Sequence, residues 1–230
     1  MPANIAPNPR IFEAAIFDLD GLLMDSEPIW VWAQMKVFRD RSALLTEEIQ
    51  HATTGMRMHE AVVAWRRYFP GVEIDPAAIR RDLLELVRGK VLESGQPKPG
   101  AVQAVEICRE AGCKVAIASS SMPELIAASV ERMGLRDHFQ ALVSTEKEAH
   151  GKPHPAVYLS AAARLGVDPE ACIGFEDSIF GVQAVKAAGI YCVAVPEAHN
   201  RGRSEYAVAD RIPGSLEEFR SGDLRREMPG

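Results

Sequence analysis

Short apolar runs alternate with helical segments throughout the second half of the chain. Four such runs occupy residues 114–118, 141–144, 172–175 and 191–195, and the helical segments between them end at glycines. A similar run at residues 14–17 comes earlier. Short strands that alternate with helices form parallel sheets with right-handed crossovers. The sequence therefore predicts an α/β fold with a doubly wound parallel sheet.

The segment between the first apolar run and the other four has a helical pattern instead. Pro28 suits a first helical turn, and apolar residues recur at helical spacing to about residue 95. The sequence Gln-Pro-Lys-Pro-Gly at residues 96–100 is typical of a linker. We therefore expect a core of residues 1–26 and 97–230, with 1–12 as a loose tail, and an all-helical domain of residues 27–96. A capped final helix is predicted to begin at Ser215.

Charge and composition exclude several classes of function. The net charge of −6 argues against a general nucleic-acid binder and against binding to an anionic membrane surface. No apolar run reaches the ~18 residues of a membrane span, and residues 1–13 lack the pattern of a signal peptide. The four cysteines form no Cys-x-x-Cys pair, which favours buried free thiols. We expect a cytoplasmic monomer that acts on a small metabolite.

Polar side chains follow the apolar runs at the point where each strand is predicted to end. The carboxyl ends of parallel strands meet at one edge of a sheet, where ligands bind. We therefore expect several carboxylates, a hydroxyl and an amine to converge there. These residues are Asp18, Asp20, Ser119, Lys152, Glu176 and Asp177.

Such a group of side chains suits phosphoryl transfer. Converging carboxylates repel one another unless a cation lies between them, and oxygen ligands favour Mg²⁺, with Mn²⁺ as a substitute. A lysine and a serine beside the metal suit the oxygens of a phosphoryl group. One aspartate can act as nucleophile and a second as general acid and base. The structural alternatives are that Ser119 is a helix cap, that Lys152 is an exposed lysine, and that Glu176 and Asp177 begin a helix.

Four segments resemble the signature motifs of the haloacid dehalogenase-like superfamily. The first is Asp-Leu-Asp-Gly-Leu-Leu-Met-Asp-Ser at residues 18–26, in the form with two aspartates that phosphatases have. An apolar strand ending in Ser119 resembles the second motif, Lys152-Pro153 the third, and Glu176-Asp177 the fourth. All four occur in the family's order, and the resemblance covers roughly residues 12–220. It implies a Rossmann-like core with a small helical cap inserted after the first strand.

The resemblance also implies roles for individual residues. Asp18 would be the nucleophile and a metal ligand, and Asp20 the general acid and base, with its carbonyl on the metal. Ser119 and Lys152 would hold the phosphoryl group. The backbone of Leu19 and Ser120 would also contact the phosphoryl group. Asp177 would bind the metal, with Glu176 close by, directly or through water.

The helical segment resembles the caps of sugar phosphatases, especially those acting on 2-deoxyglucose 6-phosphate and hexitol phosphates. This resemblance makes Glu27 and Arg57 candidates for contacts with the sugar. The alternative for Arg57 is a pairing with Glu60 on the surface. Trp30 and Trp65 are expected either to line the cleft or to pack in the core of the cap.

Three functions compete. The leading hypothesis is a Mg²⁺-dependent phosphohydrolase that removes phosphate from a small sugar or sugar alcohol through an aspartyl-phosphate. A β-phosphoglucomutase-like enzyme shares all four motifs, but such mutases have a histidine in the helix after the first motif, where this chain has Ile29, Trp30 and Val31. A non-catalytic protein that binds a phosphorylated ligand is the third. A dehalogenase would lack Asp20.

Overall fold

Five parallel strands form the centre of the molecule. A computed structural model describes residues 11–51, 53 and 56–225, so most of the predicted N-terminal tail lies outside the described residues. The strands in this part of the chain are β1 (Ala14–Phe17), β2 (Lys114–Ser119), β3 (Ala141–Ser144), β4 (Cys172–Glu176) and β5 (Tyr191–Ala194). Their order is β3-β2-β1-β4-β5, and every pairing is parallel. The predicted doubly wound parallel sheet is confirmed.

Helices cover both faces of this sheet. Within the described residues the α-helices are α1 (Glu27–Arg39), α2 (Glu47–His51), α3 (Met58–Trp65), α4 (Pro76–Ser94), α5 (Ala101–Glu110), α6 (Pro123–Arg132), α7 (Ala156–Leu165) and α8 (Ile179–Ala187). Alternate residues of β1 point to opposite faces: Ala15 and Phe17 join one buried cluster, and Ala14 and Ile16 join the other. None of these helices is both long and apolar enough to cross a membrane.

Helices α1 to α4 form one continuous segment, residues 27–94, in which the described residues contain no strand. We call residues 27–96 the helical insert. Its apolar side chains belong to the same buried cluster as Leu125 and Ile126 of α6. An ion pair of 2.6 Å between Arg80 of α4 and Glu146 also joins the insert to the core. The insert is therefore packed onto the sheet through a shared core.

The prediction of a final helix is wrong. Ser215 does act as a cap, since its hydroxyl accepts from the backbone N–H of Glu217 at 3.1 Å. Only a short 3₁₀ helix follows, at Leu216–Glu218, and the chain is extended again at Phe219. The Phe219 ring is buried and packs edge-on against Phe175 at 5.0 Å between centroids. Burial of this ring turns the backbone toward the core, so the helix ends after one turn.

Candidate active site

Three carboxylates meet at the carboxyl ends of β1 and β4. These two strands are neighbours, and Phe17 pairs with Phe175 in register, so the residues that follow each phenylalanine lie side by side. Asp18, Glu176 and Asp177 each offer an oxygen within 4.8 Å of the others. Asp18 and Glu176 are buried. Buried carboxylates need a cation or hydrogen-bond donors to offset their lost hydration.

Lys152 supplies one positive charge to this cluster. Its Nζ donates to Asp18 Oδ1 and to Glu176 Oε1, both at 2.5 Å. Burial acts to lower the pKa of Lys152, but the carboxylates of Asp18 and Glu176 outweigh it and raise this pKa above its usual value. Lys152 is only 7% exposed, so it is not the surface lysine of the structural alternative.

The carboxylate of Glu176 is surrounded by donors. Besides Lys152, its Oε1 accepts from the Tyr158 hydroxyl at 2.5 Å, and its Oε2 accepts from the Ser178 hydroxyl at 3.1 Å. Gly181 leaves the space for this group, because a β-carbon there would lie about 2 Å from the carboxylate. Glu176 thus holds Lys152 in place from the interior.

Asp177, by contrast, lines the open cleft. Its side chain approaches the turn after β1, where Gly21 has a φ of +82°. A β-carbon on Gly21 would lie 2.3 Å from Asp177 Oδ2, so both the backbone angle and the close approach require glycine. The Tyr206 hydroxyl donates to the backbone carbonyl of Asp177 at 2.7 Å and fixes the residue from the other side.

In this cluster Lys152 faces three carboxylates. Burial raises the pKa of Asp18 to about 8; Lys152 opposes this rise, and Glu176 and Asp20 add to it. Burial, with help from Asp18 and Glu176, also raises the pKa of Asp177 well above its usual value. One lysine therefore does not balance the three carboxylates. Oxygen ligands in this number, partly open to the cleft, fit Mg²⁺.

Asp20 lies at the edge of the same cleft, between the insert and the core. Its Oδ1 accepts from the Ser26 hydroxyl at 2.6 Å and from the Trp30 indole N–H at 3.2 Å. Its Oδ2 accepts from the hydroxyls of Ser121 at 2.6 Å and Ser119 at 3.4 Å. Ser119 does not cap α6, where Met122 takes the cap position.

The cleft between the insert and the core has a volume of about 630 Å³. Asp18, Asp20, Lys152 and Asp177 lie along it, together with Ser119 and Ser120. The wall formed by the insert has both polar and apolar side chains, and the wall formed by the loop after β5 is polar. The lining residues of the insert include Glu27, Trp30, Gln34 and Gln50, and those of the core include Gln183, Asn200, Arg203 and Glu205.

Two of the predicted substrate contacts, Leu19 and Arg57, have side chains that do not line the cleft. Leu19 has a fully buried side chain, so only its backbone is available. The Arg57 guanidinium donates to Glu60, as in the structural alternative, and to the carbonyl of Glu148 at 3.3 Å. It faces a second, shallow groove beside His150 and not the cleft.

Several residues that build the site were not predicted. Ser26 and Ser121 hold Asp20, while Tyr158 and Tyr206 hold the acidic pair. A tyrosine among the alanines of α7 is a signal for Tyr158, because a buried hydroxyl needs a partner. For Tyr206 no sequence pattern is available, since it lies in a 3₁₀ segment of the loop after β5.

Known proteins are similar to this chain over most of its length. The family model of the haloacid dehalogenase-like hydrolases matches residues 12–189. Hexitol phosphatase B of Escherichia coli K12 is 37% identical over 94% of this chain and 98% of its own length. The fructose-1-phosphate phosphatase YqaB of the same organism is 31% identical, over 80% of this chain and 96% of its own.

A solved structure has a similar fold over most of the chain. CbbY from Rhodobacter sphaeroides, crystallised with phosphate, superposes with a TM-score of 0.83 at 27% identity, covering 91% of this chain and 96% of its own. A mutant form of CbbY has been solved with xylulose-1,5-bisphosphate. On its sequence match, its motifs and its fold, the chain belongs to the haloacid dehalogenase-like hydrolases.

Proposed function

We propose that this protein is a Mg²⁺-dependent phosphatase that hydrolyses the monophosphate of a sugar or sugar alcohol through an aspartyl-phosphate. The observation that carries the proposal is the contact of Asp18 with Lys152 beside Asp177, at the bottom of an open cleft. Relatives named as hexitol and fructose-1-phosphate phosphatases support the substrate class. The four free buried cysteines fit a reducing, cytoplasmic setting.

The reaction has two steps. An oxygen of Asp18 forms a bond to phosphorus as the bond to the sugar oxygen breaks, and Asp20 gives that oxygen a proton. Water then attacks the phosphorus of the acyl phosphate, gives its proton to Asp20 and releases inorganic phosphate with Asp18 restored. Lys152 and Ser119 would bind the phosphoryl oxygens.

Asp18 and Asp177 are the side chains that would bind Mg²⁺, with the carbonyl of Asp20. The ion would neutralise charge on the carboxylates and the phosphoryl group. Glu176 acts by holding Lys152, since both of its oxygens already accept hydrogen bonds inside the protein.

The charge of the cleft favours a substrate with one phosphate. Among the described residues that line it, the lysine and arginine side chains are Lys152, at the acidic cluster, and Arg203, which donates to Glu205 at 2.6 Å. Amide side chains lie on both walls, and Gln50 donates to Gln34 at 2.9 Å. Amides suit neutral hydroxyls, whereas a second phosphate would need a cation of its own.

The same distribution of charge favours hydrolysis over the mutase alternative. A mutase that works through the same aspartate must hold a sugar bisphosphate between its two transfers. The walls that would bind the second phosphate carry Glu27 and Glu205, and Arg203 on the same wall is already paired with Glu205. We therefore infer that water, not a sugar hydroxyl, accepts the phosphoryl group.

A panel of phosphate esters tests the function. We expect Mg²⁺-dependent phosphate release from hexitol and hexose monophosphates, with Mn²⁺ as a substitute, and much less from bisphosphates and nucleotides. ³¹P spectra of a hexose 1-phosphate should show inorganic phosphate and no isomerised ester. Release that survives chelation would contradict the metal requirement, and release from no substrate would favour the binding protein.

The nucleophile is tested by Asp18→Asn. An amide is not a nucleophile here, so turnover should fall to background and no phosphoenzyme should form. Asp40→Asn, which changes an exposed carboxylate paired with Lys36, is the matched control and should leave turnover intact. Near-normal turnover in Asp18→Asn would refute the assignment.

A further inference from the structure

The carboxylate of Asp20 is held by donors from both parts of the molecule. Ser26 and Trp30 donate to Oδ1 from the side of the helical insert, and Ser119 and Ser121 donate to Oδ2 from the end of β2. Within the described residues, Asp20 thus joins helix α1 to the central sheet through its two oxygens. The donors of Oδ1 therefore lie at the start of α1, and the donors of Oδ2 lie at the end of β2.

Trp30 and Ser26 reach Asp20 from one face of the helix start. They are four residues apart, and the backbone N–H of Trp30 donates to the carbonyl of Ser26 at 2.9 Å. Ser26 takes the cap position of α1, yet its hydroxyl makes no capping hydrogen bond and goes to Asp20 instead. A serine at the cap position normally stabilises the helix by accepting from its first backbone N–H groups. The hydroxyl that could cap α1 therefore binds Asp20.

The indole N–H differs from the hydroxyl groups in one chemical respect. An indole nitrogen can only donate, whereas a serine hydroxyl either donates to a carboxylate or accepts from a carboxylic acid. Oδ1 therefore stays an acceptor as long as Trp30 is in place. A proton on Asp20 is then carried by Oδ2, beside Ser119, the residue expected to contact the phosphoryl group.

We propose that Trp30 is a positioning residue that orients Asp20 for proton transfer to the leaving oxygen. This inference rests on the proposed function, in which Asp20 is the general acid. Because Trp30 lies in the first turn of α1, the orientation of Asp20 also depends on the position of the insert. Trp30 itself does not exchange a proton with the substrate.

The test is Trp30→Phe in the full chain with three substrates: a hexitol phosphate, the small alkyl ester ethyl phosphate, and p-nitrophenyl phosphate. An alkoxide needs a proton to leave, and nitrophenolate does not. We expect kcat to fall roughly tenfold on both alkyl esters, a part of the ~10²–10⁴ that a general acid contributes. KM should change little, and the aryl ester should be affected less than twofold.

Three outcomes would overturn the inference. A loss on the hexitol phosphate alone would make Trp30 a substrate contact, an equal loss on all three esters would make it structural, and no loss would make it dispensable. Trp32→Phe is the matched control, because Trp32 is in the same helix and 43% exposed. If Trp30→Phe does not fold, 3-benzothienylalanine at this position has the shape of tryptophan without the N–H and should give the same pattern.

The activity of the wild-type protein distinguishes a failure of the proposed function from a failure of the role of Trp30. If it releases phosphate from none of the three esters, the proposed function fails, and this inference fails with it. If it is active and the variant retains the wild-type ratio of alkyl to aryl rates, only the role of Trp30 is refuted.

Discussion

Glu176 and Asp177 are adjacent in the chain, yet their carboxylates have different surroundings. β4 ends at Glu176, whose side chain turns into the core and meets Lys152 and Tyr158. Asp177 follows the strand and faces the cleft. The sequence predicts that both residues lie at the end of a strand. It does not predict which carboxylate accepts from Tyr158, because Tyr158 lies in α7 and only the tertiary fold brings it to this strand end.

This difference predicts different effects of two isosteric variants. Asp177→Asn should raise the Mg²⁺ concentration needed for half-maximal activity by at least tenfold, because a charged ligand is lost. Glu176→Gln should lower the melting temperature, since it removes a buried charge that balances Lys152. It should change the Mg²⁺ requirement less. Metal titrations of activity and thermal melts of both variants check this, and a reversed pattern would make Glu176 the main ligand.

Much of the site could be predicted at the residue level because strand ends converge. Asp18 and Asp177 follow strands whose positions are visible as apolar runs, and Ser119 ends such a strand. Asp20 is predicted from its place two residues after Asp18. Trp30 is different, since its two expected positions, cleft or core, depend on the rotation of α1 about its own axis. That rotation is fixed by packing against α4 and cannot be derived from helical spacing alone.

At the scale of elements, the loop between β3 and α7 links the insert to the phosphoryl site. This loop carries Lys152, and two insert arginines contact its first part: Arg80 pairs with Glu146, and Arg57 donates to the carbonyl of Glu148. A sequence pattern shows where such a loop begins and ends, but not which distant helix contacts it.

The placement of Arg57 changes what its removal should do. If it contacted the sugar, Arg57→Ala would lower kcat/KM on the sugar phosphate and leave an aryl phosphate unaffected. Because its guanidinium contacts Glu60 and the loop of Lys152, we expect similar losses on both substrates, of a few-fold to tenfold. Comparing kcat/KM on the two esters decides this, with Arg67→Ala, an exposed arginine, as the control. A loss confined to the sugar phosphate would restore the role of Arg57 as a specificity residue.

On the scale of the whole molecule, the insert and the core share one hydrophobic cluster. Val37 and Phe38 of α1 belong to it together with Val105 of α5 and Phe175 of β4. The boundaries of the expected helical domain, 27–96, remain a prediction. Sequence patterns identify the apolar face of each helix, but whether two such faces bury one another depends on the tertiary arrangement.

The acidic cluster should also make the stability of the whole chain depend on pH. The pKa of Asp18 is raised to about 8, far above that of an aspartate in an unfolded chain. At a pH between these two pKa values, Asp18 retains a proton in the folded state that it has lost in the unfolded state. The free energy of unfolding of the metal-free protein should therefore fall as the pH rises from about 5 to 8, by an amount on the order of a few kcal/mol.

Magnesium should act against this loss. An ion bound to the folded state takes the place of the proton, so Mg²⁺ should raise the melting temperature more at pH 8 than at pH 5. Thermal melts at both pH values, with Mg²⁺ and with chelator, measure the effect. Asp18→Asn has no titrating group at this position, so its metal-free stability should depend less on pH than that of the wild type. An equal pH dependence of both proteins would show that the buried carboxylate of Asp18 does not govern the stability of the fold.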